Sequence, residues 1–271
     1  KLTEFRRLFE ERSARDPRSF LVALMGARAA GRLEGLFLSD KLYFVREMRC
    51  AEGFSCSVIE HALARFLGDS FSSDGIGILS WDRTKNAEVN AALERAGFLV
   101  EKRKAFVARS LKDDLPQSGT RFAFRTLAAA GKTEFLRVMT EAAEGDPFED
   151  PAGRDPEDDF RELTEGAGDR FDPASWMLAQ VDGDVVGVVL PQEFPGRDRE
   201  GTLFYVAVLP PFRGRGYGRG LHAAGLAMLA ERGVTRYLGS TDTRNEPMLR
   251  VFEANGCSQT GIQLFYKPPS R

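Results

Sequence analysis

Residues 211–221 read PFRGRGYGRGL. Glycine stands at Gly214, Gly216, Gly218 and Gly220, and arginine at Arg213, Arg215 and Arg219. An apolar run, GTLFYVAVLP (201–210), leads in, and a helical pattern, GLHAAGLAMLAERG (220–233), leads out. Glycines let a backbone curl so that several N–H groups converge, and they put no Cβ in the way of a ligand. The free amides and positive dipole end of a helix N-terminus attract anions, and arginine adds forked donors. The local chemistry is that of a polyphosphate cradle. A flexible, solvent-facing Arg/Gly turn is the competing reading, and it gives the strand–loop–helix setting no role.

Working outward, the second half alternates strand and helix patterns. FAFRTLA (122–128) reads as a strand and KTEFLRVMTEAAEG (132–145) as a helix with Phe135, Val138 and Met139 on one face. Two apolar runs around Asp182-Gly183 read as a hairpin. After the cradle come a helix closed by Gly233, a strand at 235–241, a helix opened by Asn245 and Pro247, and a closing strand at 261–268. The first half repeats part of that order: a hairpin pattern at 20–39, a strand at 42–48, a helix with Ile59, Leu63, Phe66 and Leu67 on its apolar face, and a strand at 75–81. NAEVNAALERAGF (86–98) then lies over NEPMLRVFEANGC (245–257), with Asn, Glu and Gly at the same three offsets, and Phe106 falls on Phe265. The element order and this overlay together indicate an internal duplication.

A Pro/Gly/Ser stretch, DDLPQSGTRF (113–122), separates the halves. We expect a first domain over 1–112, a linker over 113–120 and a second domain over 121–271. The formal net charge of −2 over 271 residues provides no basic field for nucleic acid. The three cysteines lack metal-type spacing and point away from a disulfide scaffold, so a reducing, cytoplasmic setting is expected. No apolar run of about 18 residues suggests a membrane span, and no leader is visible in a sequence that begins at Lys1.

The pattern Val208-x-Pro210-x-x-Arg213-x-x-Gly216-x-Gly218 resembles the acyl-CoA signature of the GNAT N-acetyltransferase superfamily. The later run with Asn245, Met248 and Gly256 is similar to a second motif of that family, and the resemblance covers nearly all of residues 121–268. At the matching place the first half reads CAEGFSCSVIEH (50–61), with no arginine, no Gly-x-Gly, and the bulky Phe54 and Val58. The chain thus resembles tandem GNAT proteins of the mycothiol-synthase type, with a degenerate first domain and an acyl-CoA site in the second. The implied fold is α+β, layered α/β/α, as two tandem domains with mixed, mostly antiparallel sheets. The resemblance implies that the backbone of Gly214, Gly216, Gly218, Gly220 and Tyr217, aided by Arg213, Arg215 and Arg219, holds the CoA pyrophosphate. It also implies that Val206 and Val208 pair with the pantetheine arm and that the Val206 amide polarises the thioester carbonyl. Asn245 and Phe252 complete the implied cofactor set, and a plain N-cap is the other reading of Asn245.

The implied reaction is attack of a primary amine on acetyl-CoA, which uses a base and an acid. Here the sequence departs from the family. Phe252 stands where an acidic tyrosine is often found, and Thr202 where a carboxylate is often found. Glu200, Glu193 and Asp242 remain as candidate bases, with Tyr266 and Tyr205 as candidate acids; a strand-end charge or a core tyrosine is the alternative for each. A thiolate of low pKa can leave without a dedicated acid. His61 and His222 read as structural, and Cys257 as a small apolar filler. Residues 146–172 hold eleven acidic residues against three arginines. They suggest a lid for a cationic amine with Phe148, Glu149, Asp150 and Phe160 as contacts, or a solvated insertion.

The expected function is therefore acetyl-CoA-dependent N-acetylation of a small-molecule or peptide amine, with no metal, no nucleic acid and a monomeric state. The alternatives are a non-catalytic acyl-CoA-binding or docking protein, and a transferase of another acyl group or to oxygen.

Overall fold

Asp182 takes a φ of 52° and Gly183 a φ of 92°. This positive-φ pair matches the right-handed twist of flanking strands and makes a two-residue hairpin. The hairpin joins β7 (Met177–Val181) to β8 (Asp184–Glu193), with Val181 paired to Asp184. A computed structural model describes residues 20–39, 42–72, 76–112, 114–148, 155–195 and 197–269. The chain divides into two compact units, Lys1–Ala105 with Gly261–Arg271, and Phe106–Thr260.

The second unit begins inside β5 (Leu99–Ser110) and continues through β6 (Ala123–Thr126), α3 (Leu127–Ala130), α4 (Lys132–Ala143) and α5 (Pro156–Ala167). After the β7–β8 hairpin come β9 (Glu200–Val208), α6 (Tyr217–Glu231), β10 (Arg236–Asp242) and α7 (Glu246–Ala254). The sheet order is β5-β10-β9-β8-β7-β6; β6 to β9 pair antiparallel, and β9 with β10 parallel. Helix α6 lies hard against the sheet. A Cβ on Gly225 would come within 2.7 Å of Leu203 Cδ2 and 2.8 Å of Val189 Cγ2. Phe135 and Val138 of α4 are buried around Trp176 and Leu178, as the helical spacing predicts. The acidic segment forms a helix because its ends are well made. The Asp155 carboxylate accepts from the Glu157 amide at 2.9 Å, Pro156 opens α5, and Glu157, Asp158 and Asp159 sit at the positive end of the dipole.

The first unit contains β1 (Phe20–Met25), β2 (Arg28–Ser39), β3 (Leu42–Cys50), α1 (Cys56–Ser72), β4 (Gly77–Trp81) and α2 (Arg83–Arg95). Its sheet runs β1-β2-β3-β4-β11, where β11 (Ser258–Lys267) is the last strand of the chain. β3 and β4 run parallel over Leu42–Phe44, and β11 pairs antiparallel with β4. Each unit therefore ends its sheet on a strand from the other half of the sequence, unlike a simple cut at the proline-rich stretch. Leu33, Tyr43, Leu63, Leu67, Phe71 and Leu93 form the core of this unit. Phe66, expected on the apolar face of α1, is 51% exposed because the buried stripe runs through Glu60, Ala64 and Leu67 instead.

Two other boundaries differ from the sequence reading. β6 stops at Thr126, whose Oγ1 accepts from the Ala129 amide and caps α3. In α2, Asn86 leaves helical geometry at φ −148°, the position that overlays Asn245 at the start of α7.

Candidate active site

β9 and β10 pair only at Glu200/Arg236 and Gly201/Tyr237 among the described residues. Beyond Tyr237 the parallel ladder ends and a gap opens between the strands. On its other edge β9 stays paired to β8. The Leu209 amide donates to Val186 O at 2.9 Å, so Val186 and Leu209 form a hydrogen-bonded pair. The register then makes Val188/Ala207 the next such pair and leaves Val189/Val206 and Gly187/Val208 as non-bonded pairs. The amides of Val206 and Val208 therefore point away from β8, into the gap.

The gap leads to the glycine–arginine loop. Gly214 and Gly216 have φ values of 75° and 82°, and a Cβ on either would meet nothing within 4 Å. The space in front of both is open. Gly216 is the N-cap of α6 and makes no side-chain cap, so the amides of Tyr217, Gly218 and Arg219 have no helical partner. These donors and the α6 dipole face one place, and that place suits a phosphate. Gly218 passes between β9 and α7, 3.9 Å from Val208 Cγ2 and 3.8 Å from Val251 Cγ2 as a Cβ would measure it. Gly220 is buried, and its missing Cβ makes room for Phe122 and Ser118. Arg215 lies over the Phe212 ring at 5.4 Å, and Tyr217 meets Phe122 edge-on at 6.0 Å.

Arg213 has a structural task that the sequence did not reveal. Its Nε donates to Val208 O at 3.1 Å and its Nη2 to Ala142 O at 2.8 Å. The guanidinium braces the loop against the carbonyl end of α4 and covers the Val208 carbonyl where the gap meets the cradle.

Behind the cradle is a buried polar chain. Asn255 Nδ2 donates to Arg219 O at 3.1 Å and to His222 Nδ1 at 3.0 Å. An amide nitrogen only donates, so His222 is neutral with its proton on Nε2, directed at the Tyr237 hydroxyl 3.2 Å away. Burial, assisted by the nearby Arg109 charge, pushes the His222 pKa down to about 4. Burial also holds Tyr237 well above the usual phenol range. Arg109 donates to the Asn255 and Asp114 carbonyls. Phe252 is 2% exposed and edge-on to His222 at 5.4 Å, so it packs the network and offers no proton. Burial raises the Cys257 thiol to about 11.

The candidate acids and bases are mostly committed. Glu200 is ion-paired to Arg236 at 2.7 Å and Arg197 at 3.6 Å, and Glu193 to Arg170 at 3.5 Å. Asp242 takes Arg244 in a two-bond fork at 2.9 and 3.0 Å, which raises the arginine pKa further. Tyr266 belongs to the first unit, where its hydroxyl donates to Asn90 Oδ1 at 2.9 Å. Thr202 is buried in β9. Asn245 caps α7 through Oδ1, which accepts from the Met248 amide at 3.1 Å, and that bond leaves its Nδ2 uncommitted by the cap. Of the expected acceptor contacts, Phe148 lies under Arg244 at 5.7 Å. Phe160 turns inward onto Trp176 at 5.9 Å and Phe171. Glu149 and Asp150 lie outside the described residues.

The sequence reading passed over a cavity of about 470 Å³ bounded by α4, α5 and β9. It also passed over Arg109, Tyr237 and Asn255. The visible signal for the buried chain was His222 inside an otherwise apolar helix face and Asn255 directly after the end of α7. Among the described residues no group of three His, Cys, Asp or Glu could hold a metal ion, and no helix is long and apolar enough to cross a membrane.

Residues 137–257 match the model of the acetyltransferase (GNAT) family. A mycothiol acetyltransferase of Cellulomonas flavigena is 33% identical over 107 residues, which are 36% of this chain and 31% of that protein. A mycothiol acetyltransferase of Thermomonospora curvata is 34% identical over 99 residues, 36% of this chain and 33% of that protein. The matched stretch thus spans about a third of the length of these curated relatives. A GCN5-related N-acetyltransferase from Sphaerobacter thermophilus shares the fold with a TM-score of 0.66 at 19% identity, over 94% of this chain and 82% of that one. A tandem GNAT protein from the clavulanic acid biosynthesis pathway has a TM-score of 0.58 at 15% identity, over 92% and 82% of the respective chains. Residues 137–257, within the second unit, thus match the acetyltransferase (GNAT) family, in a chain that shares its fold with a GCN5-related N-acetyltransferase.

Proposed function

We propose that the second unit transfers an acetyl group from acetyl-CoA to a primary amine by direct attack on the thioester. The observation that carries this reading is the gap between β9 and β10. It presents the Val206 and Val208 amides to an extended ligand and ends at the uncapped N-terminus of α6. The CoA pyrophosphate fits the open space before Gly214 and Gly216, held by the first α6 amides with Arg215 and Arg219 beside it. The pantetheine arm adds to β9 as a strand would. The thioester carbonyl then meets the Val206 N–H, whose fixed dipole stabilises the developing oxyanion. Such a donor is worth on the order of 10²–10³ in rate. The amine lone pair forms the C–N bond, the C–S bond breaks, and the proton shed by nitrogen ends on the departing CoA sulfur.

A second reading is acyl-CoA binding without turnover. It is favoured by the arginine partners of Glu193, Glu200 and Asp242, which already engage the candidate bases in ion pairs. One experiment separates the two: release of free thiol from acetyl-CoA with a panel of primary amines. Amine-dependent release establishes transfer, and tight binding of acetyl-CoA without any release establishes the second reading.

A further inference from the structure

The first unit brings two of the three cysteines of the chain together. Cys50 closes β3 and Cys56 opens α1, with the residues AEGFS between them. That loop doubles back on itself. The Ala51 amide donates to Ala30 O at 2.8 Å, which pins the start of the loop to β2. The Phe54 amide donates to Ala51 O at 3.3 Å, across a turn in which Gly53 takes a φ of 86°. Ser55 O then accepts from the Val58 and Ile59 amides, so α1 begins at once. The Cys50 sulfur lies within this turn, where its S–H is 3.3 Å from Ala51 O and 3.6 Å from Phe54 O. The Cys50 and Cys56 thiols are hydrogen-bonded to each other. That bond is the largest of the influences that push the Cys50 thiol up to about 11.

The two sulfurs differ in access. Cys50 is half-buried, whereas Cys56 is exposed. Cys56 is therefore the thiol that a solute reaches first, and Cys50 is the thiol already in contact with it. Sulfurs in contact need little more than a side-chain rotation to bond. The third cysteine, Cys257, belongs to the second unit and has no second cysteine there. Burial raises its thiol to about 11, which keeps it protonated and unreactive.

We propose that Cys50 and Cys56 form a reversible disulfide, a peroxide-responsive site at the strand–helix junction of the first unit. Hydrogen peroxide transfers one oxygen to the Cys56 sulfur, giving a sulfenic acid and one water. The Cys50 sulfur attacks that sulfur, the S–O bond breaks, the S–S bond forms, and the hydroxyl leaves with the Cys50 proton as a second water. Each sulfur gives up one electron, and the peroxide takes up both. A dithiol reductant reverses the step by two thiol–disulfide exchanges and leaves as its own cyclic disulfide. In the oxidised form the 51–55 loop is cross-linked between β3 and α1, at the place in the first unit that corresponds to the cradle of the second.

The test uses the full chain, reduced, freed of reductant and treated with a small excess of hydrogen peroxide. It is then denatured, and its free thiols are counted by alkylation and mass spectrometry. Free thiols are expected to fall from three to one, with the intact mass lower by two hydrogens and a peptide map that joins Cys50 to Cys56. Dithiothreitol restores all three. In Cys50→Ser the sulfenic acid on Cys56 has no thiol to resolve it, and dimedone captures it as one adduct per chain. In Cys56→Ser the Cys50 thiol survives the peroxide dose that closes the wild-type pair. Circular dichroism reports that both variants fold, and the wild-type peptide map decides the question without them. Three thiols surviving the dose, a map that joins Cys257 or two chains, or oxygen adducts on Cys56 in place of the disulfide each overturns the proposal.

Discussion

His222 Nε2 lies 3.2 Å from the Tyr237 hydroxyl, and Tyr237 is the last residue of β10 that pairs with β9. The bond ties α6, whose first turn forms the cradle, to the strand pair at the point where it opens. Tyr237→Phe removes the acceptor and leaves a buried N–H unsatisfied, at a cost of about 1–3 kcal/mol. Denaturant unfolding measures that loss. Acetyl-CoA affinity should fall with it, because the cradle and the gap lose a shared anchor.

The His222 ring also gives stability a pH dependence. Its pKa is about 4 in the folded chain and near 6.5 when unfolded. Between those values the unfolded state takes a proton that the folded state refuses. Stability from the neutral ring is fully present above about pH 6.5 and is lost as pH falls toward 4, about 3 kcal/mol in all. Unfolding free energies of the wild type and His222→Gln, measured from pH 7 to 4, should converge by roughly that amount. Parallel curves would show that the ring is protonated in place.

Arg213 separates bracing from charge. Its fork spans Val208 O and Ala142 O, and a lysine ammonium cannot reach both. Arg213→Lys and Arg213→Ala should therefore weaken acetyl-CoA binding to a similar degree. If lysine restores most of the affinity, Arg213 acts on the pyrophosphate by charge.

Gly216 tests the cradle with one methyl group. Alanine at φ 82° costs about 1–2 kcal/mol of backbone strain, yet its Cβ meets no protein atom within 4 Å. Gly216→Ala should fold with a modest stability loss and lose acetyl-CoA affinity well beyond it. Affinity that tracks stability alone would mean the space before Gly216 is not the phosphate site.

Local chemistry was legible in the sequence, and contacts between distant segments were not. Asp182-Gly183 declared its turn because few residue pairs adopt that backbone, and the Arg213–Gly220 run declared a helix N-terminus because only glycines leave such amides open. The register of α4 followed from Phe135 and Val138. The destination of β11 could not be read, since an apolar strand pairs equally well in either unit by composition. The brace from Arg213 to Ala142 joins residues 71 apart, and no spacing rule reaches that far. The cavity is lined by Phe204 and Tyr205, neighbours on β9 at a bulge against β8, and their residue types alone give no sign of it. Phe160 looked available to a ligand because of its acidic neighbours, but the amphipathic turn of α5 packs it on Trp176.

Calorimetric titration of acetyl-CoA into the purified chain tests the central claim most directly. One site per chain is predicted, because the glycine–arginine cradle occurs in the second unit and the matching loop of the first reads CAEGFSC. Absence of binding, or two equivalent sites, would contradict the account.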